Sequence, residues 1–274
     1  MDLFEAFILG LVQGVTEFLP ISSSGHLRIA AALLEQDLDT ELTFDIMVHF
    51  GTLFSIIIYF WERLLKLVES AVRILKAPVQ SFRDWDNDYD LRFNVYVIVS
   101  MIPAGVAGFT VRDNIEHAFA DPVIISLMFM VTGTALYATK FFGEGEKGLT
   151  LKNTFVVGIA QAFALLPGIS RSGATISMAV YLGIKREDIA NFTFIMMLPV
   201  VAGATLVDAL KIGSEGLAPG LFWPLVIGFF TALVSGYYSL KYLIILFKSK
   251  GIHYFSWYCW AVGLFGILYF GWFI

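Results

Sequence analysis

The sequence QGVTEFLPISSSGH, residues 13–26, interrupts an otherwise apolar segment that runs from Leu3 to about Leu34. Pro20 and the Ser/Gly run after it are residues that break helices, so the segment divides into two arms. Neither arm has the roughly 20 apolar residues that a membrane span needs. The pattern therefore predicts a re-entrant helix hairpin, with the second helix beginning at about Ser24.

A second break, PGISRSG at residues 167–173, repeats the first at a constant offset of 148 positions. The matching pairs are Gly10 and Gly158, Gln13 and Gln161, Ser22 and Ser170, Ser24 and Ser172, and Gly25 and Gly173. Matches on Gly, Gln and Ser at one offset are harder to attribute to chance than matches between apolar residues. We predict a single integral-membrane domain, 1–274, built from two repeats at roughly 1–142 and 150–274. The second hairpin's new helix should begin at about Ser172.

Composition indicates that most of the chain has lipid as its solvent. Hydrophobic residues make up 58% of it and charged residues 15%, whereas soluble domains have about 45–50% and about 25%. No basic patch points to a nucleic-acid partner, and the lone Cys259 excludes an internal disulfide. The candidate spans are Phe44–Trp61, Phe93–Phe109, Val123–Phe142, Ile189–Leu210, Leu221–Phe247 and Tyr254–Ile274. The sequence thus predicts an all-α polytopic membrane protein with about six transmembrane helices besides the two hairpins.

Basic residues predict the orientation of the chain in the membrane. The connection Glu62–Arg92 is rich in Arg and Lys, so it should be cytoplasmic. Its first part, Glu62–Lys76, is amphipathic and is predicted to lie along the membrane surface. Following the spans from there places Glu35–Glu41 and Arg112–Asp121 outside. The two hairpins then enter from opposite sides, which predicts an inverted-topology repeat whose broken tips meet near the midplane, around a substrate site.

The residues at the two breaks suit a phosphate group. Each break begins a helix, and the N–H groups and partial positive charge of a helix N-terminus favour anions. Arg171 adds a permanently charged, planar fork of donors between Ser170 and Ser172. The alternative is that the serines only cap the helices, which accounts for one serine per helix and leaves the arginine unexplained.

Acidic and basic side chains near the first break offer further chemistry. Gln13 and Glu17 are four residues apart, so they share one helix face. A carboxylate at membrane depth is a functional hypothesis by default, and Glu17 could form an ion pair with Arg171 or help to hold Mg²⁺. His26 could act as a general base for a serine or as the nucleophile itself. We interpret His49, in the middle of a span, as a packing residue.

Residues 13–26 closely resemble the first signature of the bacterial undecaprenyl-pyrophosphate phosphatases, the bacitracin-resistance family, and residues 167–173 resemble the second. The resemblance extends over nearly the whole chain in length, span pattern and motif spacing. It implies hydrolysis of the C55 isoprenyl pyrophosphate to the monophosphate, which recycles the lipid carrier for peptidoglycan synthesis and gives bacitracin resistance. It also implies a divalent cation, Mg²⁺ or Ca²⁺, a multi-pass location in the bacterial plasma (inner) membrane, and an active site reached from the outer face.

Carried over position by position, the resemblance implies catalytic roles for four residues. Ser23 falls on the proposed nucleophile, His26 on its base, Arg171 on the phosphate-binding arginine, and Glu17 on a catalytic and metal-binding carboxylate. The residues implied in substrate binding are Gln13, Ser22, Ser24, Gly25, Ser170, Ser172 and Gly173. Gln13 stands where many members have Glu, so one carboxylate remains in the pair and a two-carboxylate metal site is in question here.

Two questions stay open at this point. A transporter or flippase of a prenyl-phosphate lipid would use the same arginine and helix ends. Because binding alone needs neither an acid–base group nor a nucleophile, His26 and Glu17 beside Ser23 favour an enzyme. Attack by Ser23, by His26 or directly by water, the preferred prenyl chain length and the oligomeric state, including a homodimer, are all left undecided by the sequence.

Overall fold

The computed structural model describes residues 1–34, 42–111, 115, 121–212, 220–248 and 251–273. Within these residues the chain is helical apart from its connections and one isolated β-bridge between Lys147 and Ile184. The all-α prediction is therefore confirmed for this part of the chain. The connections predicted to lie outside, Glu35–Glu41 and most of Arg112–Asp121, fall beyond the described residues.

Twelve α-helices make up the described part of the chain. In the first half they are α1 (Leu3–Phe18), α2 (Ser23–Leu33), α3 (Leu42–Tyr59), α4 (Trp61–Lys76), α5 (Pro78–Arg83), α6 (Tyr89–Thr110) and α7 (Pro122–Ala138). In the second half they are α8 (Leu151–Phe163), α9 (Arg171–Tyr181), α10 (Arg186–Ile212), α11 (Phe222–Lys248) and α12 (Phe255–Phe273). Short 3₁₀ turns follow α7 and precede α12. The helices after the two breaks begin at Ser23 and Arg171, each one residue before the predicted start.

Side-chain caps explain where the first helix of each hairpin begins. The Asp2 carboxylate accepts a hydrogen bond from the backbone N–H of Glu5, whose side chain accepts one from the N–H of Asp2. Thr150 and Asn153 make the same reciprocal pair at the start of α8. Each pair satisfies backbone donors that the first turn of a helix leaves free. Local sequence thus fixes the starts of both hairpins.

The number of membrane spans differs from the prediction of about six. Among the described residues four helices, α6, α7, α10 and α11, are long and apolar enough to cross a membrane. A fifth is added if α3 and α4 are counted as one span, but the chain bends by 85° between them. The bend lies where the sequence changes from the apolar α3 to α4, which carries charged residues along one side. The sixth predicted span forms α12, a 19-residue helix rich in Trp and Tyr.

The amphipathic segment after α3 is held against the start of α6. Arg63 of α4 pairs with Asp90, and Arg73 Nη2 lies 2.9 Å from Asp88 Oδ2. Asn94 of α6 donates a 2.9 Å hydrogen bond to the Leu67 carbonyl. The predicted helix over this segment is confirmed, and its location along the membrane surface stays a prediction.

The two halves pack crosswise. Helix α1 packs along α11 and α8 packs along α6, while α7 pairs with α12 and α3 contacts both α10 and α11. A Cβ atom at Gly10 would lie 2.7 Å from the Gly228 carbonyl oxygen, and one at Gly158 would collide with the Ser100 carbonyl. Glycine is therefore required at both helix crossings. Gly10 and Gly158 are partners in the repeat, so each hairpin is seated against a long helix of the other half.

Candidate active site

The two breaks lie against each other inside the helical bundle. Ser172 Oγ, in the second break, donates a 3.2 Å hydrogen bond to the carbonyl of Leu19 in the first. Helices α2 and α9, which follow the breaks, begin with equivalent hydrogen bonds. In α2 the N–H of His26 donates to the Ser22 carbonyl, and in α9 the N–H of Ala174 donates to the Ser170 carbonyl. The two breaks are therefore in contact, and both helix N-termini are close to the place of contact.

Two hydrogen bonds converge on one carboxylate oxygen at the first break. Gln13 Nε2 donates to Glu17 Oε2 over 2.9 Å, and Ser23 Oγ donates to the same oxygen over 2.6 Å. Gln13 is 0% exposed and Glu17 8%. The i, i+4 spacing places Gln13 and Glu17 on one face of α1, as predicted, and the reversal at the break brings Ser23 back to them. A charged acceptor strengthens both hydrogen bonds.

Two further side chains are close enough to interact electrostatically with this carboxylate. They are Arg171, which is permanently charged, and His49, which is charged only when protonated. The described residues include no direct salt bridge between Glu17 and Arg171, so the structural ion pair considered as an alternative is not formed. His49 Nδ1 lies 2.8 Å from the Asp45 carbonyl and 3.5 Å from its carboxylate. The described hydrogen bond of His49 thus lies within α3, and the packing role predicted for it stays a prediction.

The hydrogen bonds of His26 are made with groups other than the Ser23 hydroxyl. Its Nδ1 lies 2.8 Å from the Ser22 carbonyl and its Nε2 lies 2.8 Å from the hydroxyl of Tyr258. The edge of its ring packs on Phe129, with centroids 5.0 Å apart. None of the described hydrogen bonds joins His26 to Ser23, whose hydroxyl is taken by Glu17. The nucleophile and base pair that the resemblance implies would therefore require these side chains to rearrange.

The other predicted residues of the first break differ in exposure. Ser22 is 2% exposed, its Oγ has no hydrogen-bond partner, and its φ of 68° lies in the left-handed region. Ser24 is exposed, whereas Gly25 is buried against Phe129. A non-glycine residue in the left-handed region carries backbone strain, and such strain clusters at functional sites. Ser22 and Gly25 are therefore buried at the first break, whereas Ser24 faces outward.

The second break is more fully hydrogen-bonded. Ser170 caps α9, since its Oγ accepts a 3.1 Å hydrogen bond from the N–H of Gly173. The same oxygen lies 3.1 Å from Ser172 Oγ. The Ser170 N–H donates to Thr132 Oγ1, which in turn donates to the Gly168 carbonyl. The capping alternative is thus correct for Ser170, while Arg171, the next residue, takes no part in the cap.

Several buried polar atoms on the two hairpins have no protein partner. They are Gln13 Oε1, Ser22 Oγ, Arg171 Nη1 and both amide atoms of Gln161. An unsatisfied polar group in a membrane interior is costly, so these atoms are places where a ligand or water would bind. Gln13 Oε1 is an oxygen next to the Glu17 carboxylate, whereas Arg171 and Ser22 offer donors. One part of the site therefore suits a cation and another part suits an anion.

The donor set fits a divalent cation that is shared with a substrate. Glu17 and Gln13 together offer oxygen ligands, which Mg²⁺ and Ca²⁺ prefer. In the part of the chain that the structure describes, no cluster of three or more His, Cys, Asp or Glu side chains could hold a metal alone. Mg²⁺ commonly completes its shell with water and substrate phosphate, and the small protein donor set is consistent with that habit.

Sequence reasoning missed the contribution of α7 and α12. Phe129 and Thr132 of α7 support the first and second breaks, and Tyr258 of α12 reaches His26. Tyr258 stands in an aromatic run, Tyr254–Trp260, that is typical of a membrane-interface belt. Thr132 is one threonine in an apolar span. Neither has a local signal, because both reach the site only through the packing of α7 on α12.

Comparison with known proteins identifies the family. Residues 6–265 match the family described as bacitracin resistance protein BacA. The chain belongs to this family. It is 40% identical over 270 residues to the undecaprenyl-diphosphatase of Salinibacter ruber, covering 97% of this chain and 99% of that protein. It is 38% identical to that of Trichlorobacter lovleyi, with 96% of each chain covered, and 35% identical to that of Methanosphaera stadtmanae, with 98% of each covered.

Membership of BacA confirms the resemblance that the two motifs carry. The match covers both breaks and all twelve helices in whole or in part, so it is not a likeness of membrane helices alone. The relatives are named for a phosphatase activity, which does not favour the transporter or flippase alternative. The apolar helices and the family together make this a multi-pass membrane protein.

Proposed function

We propose that this chain is an undecaprenyl-diphosphatase: it hydrolyses undecaprenyl pyrophosphate to undecaprenyl phosphate and inorganic phosphate. The observation that carries the proposal is the partly buried hydrogen bond from Ser23 to Glu17 in the first break. In the second break, which contacts the first through Ser172, Arg171 keeps one buried guanidinium nitrogen without a protein partner. A hydroxyl bound to a carboxylate, together with a cation available to the phosphate, is suited to phosphoryl transfer. The product is the lipid carrier of peptidoglycan synthesis, and its supply would give bacitracin resistance.

The fold proposed for this activity is an inverted-topology repeat of two units, roughly 1–142 and 150–274, with two re-entrant hairpins. Three observations support it. The hairpin helices α1, α2, α8 and α9 have 16, 11, 13 and 11 residues, each short of a span. The first helix of each hairpin packs on a long helix of the other half. The two breaks touch through Ser172 and Leu19.

The diphosphate would bind between the two breaks. Arg171 would neutralise the terminal phosphate, and the free N–H groups at the starts of α2 and α9 would surround its oxygens. Ser22, whose buried hydroxyl has no protein partner, would donate a further hydrogen bond. Ser172, Gly25 and Gly173 would line the same cavity, and Ser24 its rim. The apolar tail would leave the site toward lipid, which a membrane-embedded position allows.

The reaction would proceed in two displacements. Ser23 Oγ would attack the terminal phosphorus, the bond from that phosphorus to the bridging oxygen would break, and undecaprenyl phosphate would leave. The serine proton would pass to Glu17, its partner at 2.6 Å. Water would then attack the phosphoserine and release inorganic phosphate, with His26 taking the proton of the water. This assignment differs from the one implied by resemblance, in which His26 takes the serine proton.

A divalent cation, Mg²⁺ or Ca²⁺, would be held by Glu17 and by Gln13 Oε1. Both described hydrogen bonds to Glu17 end on Oε2, so Oε1 takes part in neither. When bound, such a cation would neutralise charge on the diphosphate. The site would be reached from the outer face of the bacterial plasma membrane, and a homodimer stays a prediction.

Phosphate release tests the proposal directly. Purified protein in detergent is given a prenyl pyrophosphate with Mg²⁺, with Ca²⁺ or with a chelator, and inorganic phosphate is measured. Wild type should release phosphate with a cation and lose most of the release with chelator. Ser23→Ala should lower kcat by about 10²-fold or more, as expected for loss of a nucleophile.

Ser235→Ala is the matched control, because the hydrogen bond described for Ser235 lies within α11, from its Oγ to the Thr231 carbonyl at 2.6 Å. It should retain wild-type activity. Wild type that binds the lipid but releases no phosphate with either cation would overturn the proposal. Flipping of the lipid across vesicles would then be the activity to measure.

A further inference from the structure

Tyr258 is a polar contact of His26 from the far end of the chain. Its hydroxyl lies 2.8 Å from His26 Nε2, and the two rings are nearly parallel, 10° apart, with centroids 5.5 Å from each other. Tyr258 lies on α12, which packs along α7. Helix α7 supplies Phe129, whose fully buried ring meets His26 edge-on. Two helices from outside the first break, α12 and α7, therefore contact one imidazole.

The contacts of His26 also fix which nitrogen carries its proton. The Ser22 carbonyl can only accept, so the Nδ1 that lies 2.8 Å from it must carry a hydrogen. In the neutral ring Nε2 is then the acceptor, and Tyr258 donates to it. When Nε2 is protonated, the same hydroxyl can accept instead, because a phenol does both. Nε2 is thus the nitrogen that can gain and lose a proton. Because Tyr258 occupies its one acceptor position, the hydroxyl would give its hydrogen to Nε2 and take the proton of the water in exchange.

We propose that Tyr258 is a positioning residue for the phosphatase reaction: its hydroxyl orients the His26 ring and is the hydrogen-bond partner of the nitrogen that exchanges protons. The inference rests on the proposed function, in which His26 takes the proton of the attacking water. It adds a residue of α12 to a site that the two motifs otherwise place on α1, α2 and α9.

The simpler interpretation of Tyr258 is that of an interface tyrosine. The side chains around it fit that interpretation, since Tyr258 is 45% and Trp257 60% exposed. A belt tyrosine, however, directs its hydroxyl toward headgroups and water. The hydroxyl of Tyr258 instead points to a ring nitrogen of a histidine that is 232 residues away in sequence. The orientation of the hydroxyl, and not the burial of the ring, distinguishes the two interpretations.

Tyr258→Phe tests the proposal because it removes the hydroxyl and keeps the ring. We expect kcat for phosphate release to fall roughly tenfold, the size of one lost hydrogen bond. KM should stay within about twofold, because Tyr258 acts on His26 and does not bind the phosphate. Tyr238→Phe is the matched control, since Tyr238 is another membrane-helix tyrosine with an exposed ring. It should match wild type within about twofold.

A double-mutant cycle separates positioning from general destabilisation. If Tyr258 acts through His26, then Tyr258→Phe should have no further effect on kcat in a His26→Ala background. Losses that multiply in the double variant would overturn the proposal, because they would show that Tyr258 acts independently of His26. Tyr258→Phe with wild-type kcat would overturn it as well.

A spectroscopic readout keeps the inference separate from the proposed activity. The chain has four histidines, so ¹⁵N-histidine NMR with the His26→Ala spectrum as reference identifies the two nitrogens of His26. Wild type should show a protonated Nδ1 and an accepting Nε2, and Tyr258→Phe should shift the Nε2 signal. If wild type had no phosphatase activity, the proposed function would be wrong, but the NMR comparison could still be made. An unchanged Nε2 signal in Tyr258→Phe would overturn the positioning role alone.

Discussion

The first and second breaks lead into helices of equal length, but the backbone torsion angles before the two helices differ. Helices α2 and α9 each have 11 residues and start 148 positions apart, on the same first hydrogen bond. The left-handed residue is Ser22 in the first break, with φ 68°, whereas its partner Ser170 is extended, with φ −72°. In the second break the left-handed residue is Gly168, two positions earlier. The same helix start can therefore be preceded by two different backbone conformations.

The chemistry of the two breaks differs more than the backbone does. The repeat partner of Ser23 is Arg171, that of Glu17 is Leu165 and that of His26 is Ala174. The groups that can move a proton are thus confined to the first break, and the permanent cation is confined to the second. Contact between the breaks brings the two functions together.

The largest expected effect comes from removing the cation of the second break. Arg171→Ala should lower kcat for phosphate release by about 10²-fold or more, as expected for loss of a group that stabilises charge in the transition state. Arg171→Lys should recover part of the loss, because it restores the charge without the planar fork. Phosphate release from a prenyl pyrophosphate measures both.

The control is Arg83→Ala, which removes an exposed arginine from α5 and should leave kcat unchanged. Full activity in Arg171→Ala, with activity lost in Ser23→Ala, would contradict the division between the breaks. The first break would then bind and transform the phosphate alone.

A smaller effect is expected from the two glutamines that the repeat relates. Gln13→Glu adds a second carboxylate beside Glu17 and should lower the Mg²⁺ concentration for half-maximal activity on the order of tenfold, because ligand charge tunes cation affinity. Gln161→Glu is the matched variant at the second hairpin. Gln161 is 2% exposed and its amide is unpaired, so a charge there should destabilise the fold. It should leave the Mg²⁺ dependence as in wild type.

Titration of phosphate release with Mg²⁺ distinguishes the outcomes for the two glutamines. An equal shift in both variants would mean that the cation contacts both hairpins. No shift in Gln13→Glu would remove Gln13 from the cation site and leave Glu17 as its only proposed protein ligand.

Local signals were sufficient to predict the two helix breaks and the shared helix face of Gln13 and Glu17. Pro20 and the Ser/Gly runs are strong breaking residues, and they placed the starts of α2 and α9 within one residue. The spacing of Gln13 and Glu17 placed both on one helix face, and their hydrogen bond confirms it. Each of these features depends on residues within a few positions of one another, which is the range that sequence patterns cover.

Features that depend on torsion angles or on distant packing could not be predicted. The direction of the Ser23 hydroxyl, toward Glu17 and not His26, follows a break in which Ser22 is left-handed, and serine gives no advance sign of that. Tyr258 and Thr132 contact the site across 232 and 38 residues. About six spans were predicted, whereas among the described residues four helices, or five if α3 and α4 are one span, are long and apolar enough to cross a membrane.

The smallest expected effect separates structural from functional serines at the two breaks. Ser170→Ala removes the cap of α9 and should lower the free energy of unfolding by about 1 kcal/mol. Ser22→Ala should cost less than about 0.5 kcal/mol, because the Ser22 hydroxyl has no partner and alanine leaves the same strain at a left-handed φ. Denaturant unfolding in detergent measures both, with Ser170→Asn as a control that retains a capping oxygen. An equal loss in Ser22→Ala would reveal a structural partner of Ser22. A stable Ser22→Ala with reduced phosphate release would instead make that hydroxyl a donor to the substrate.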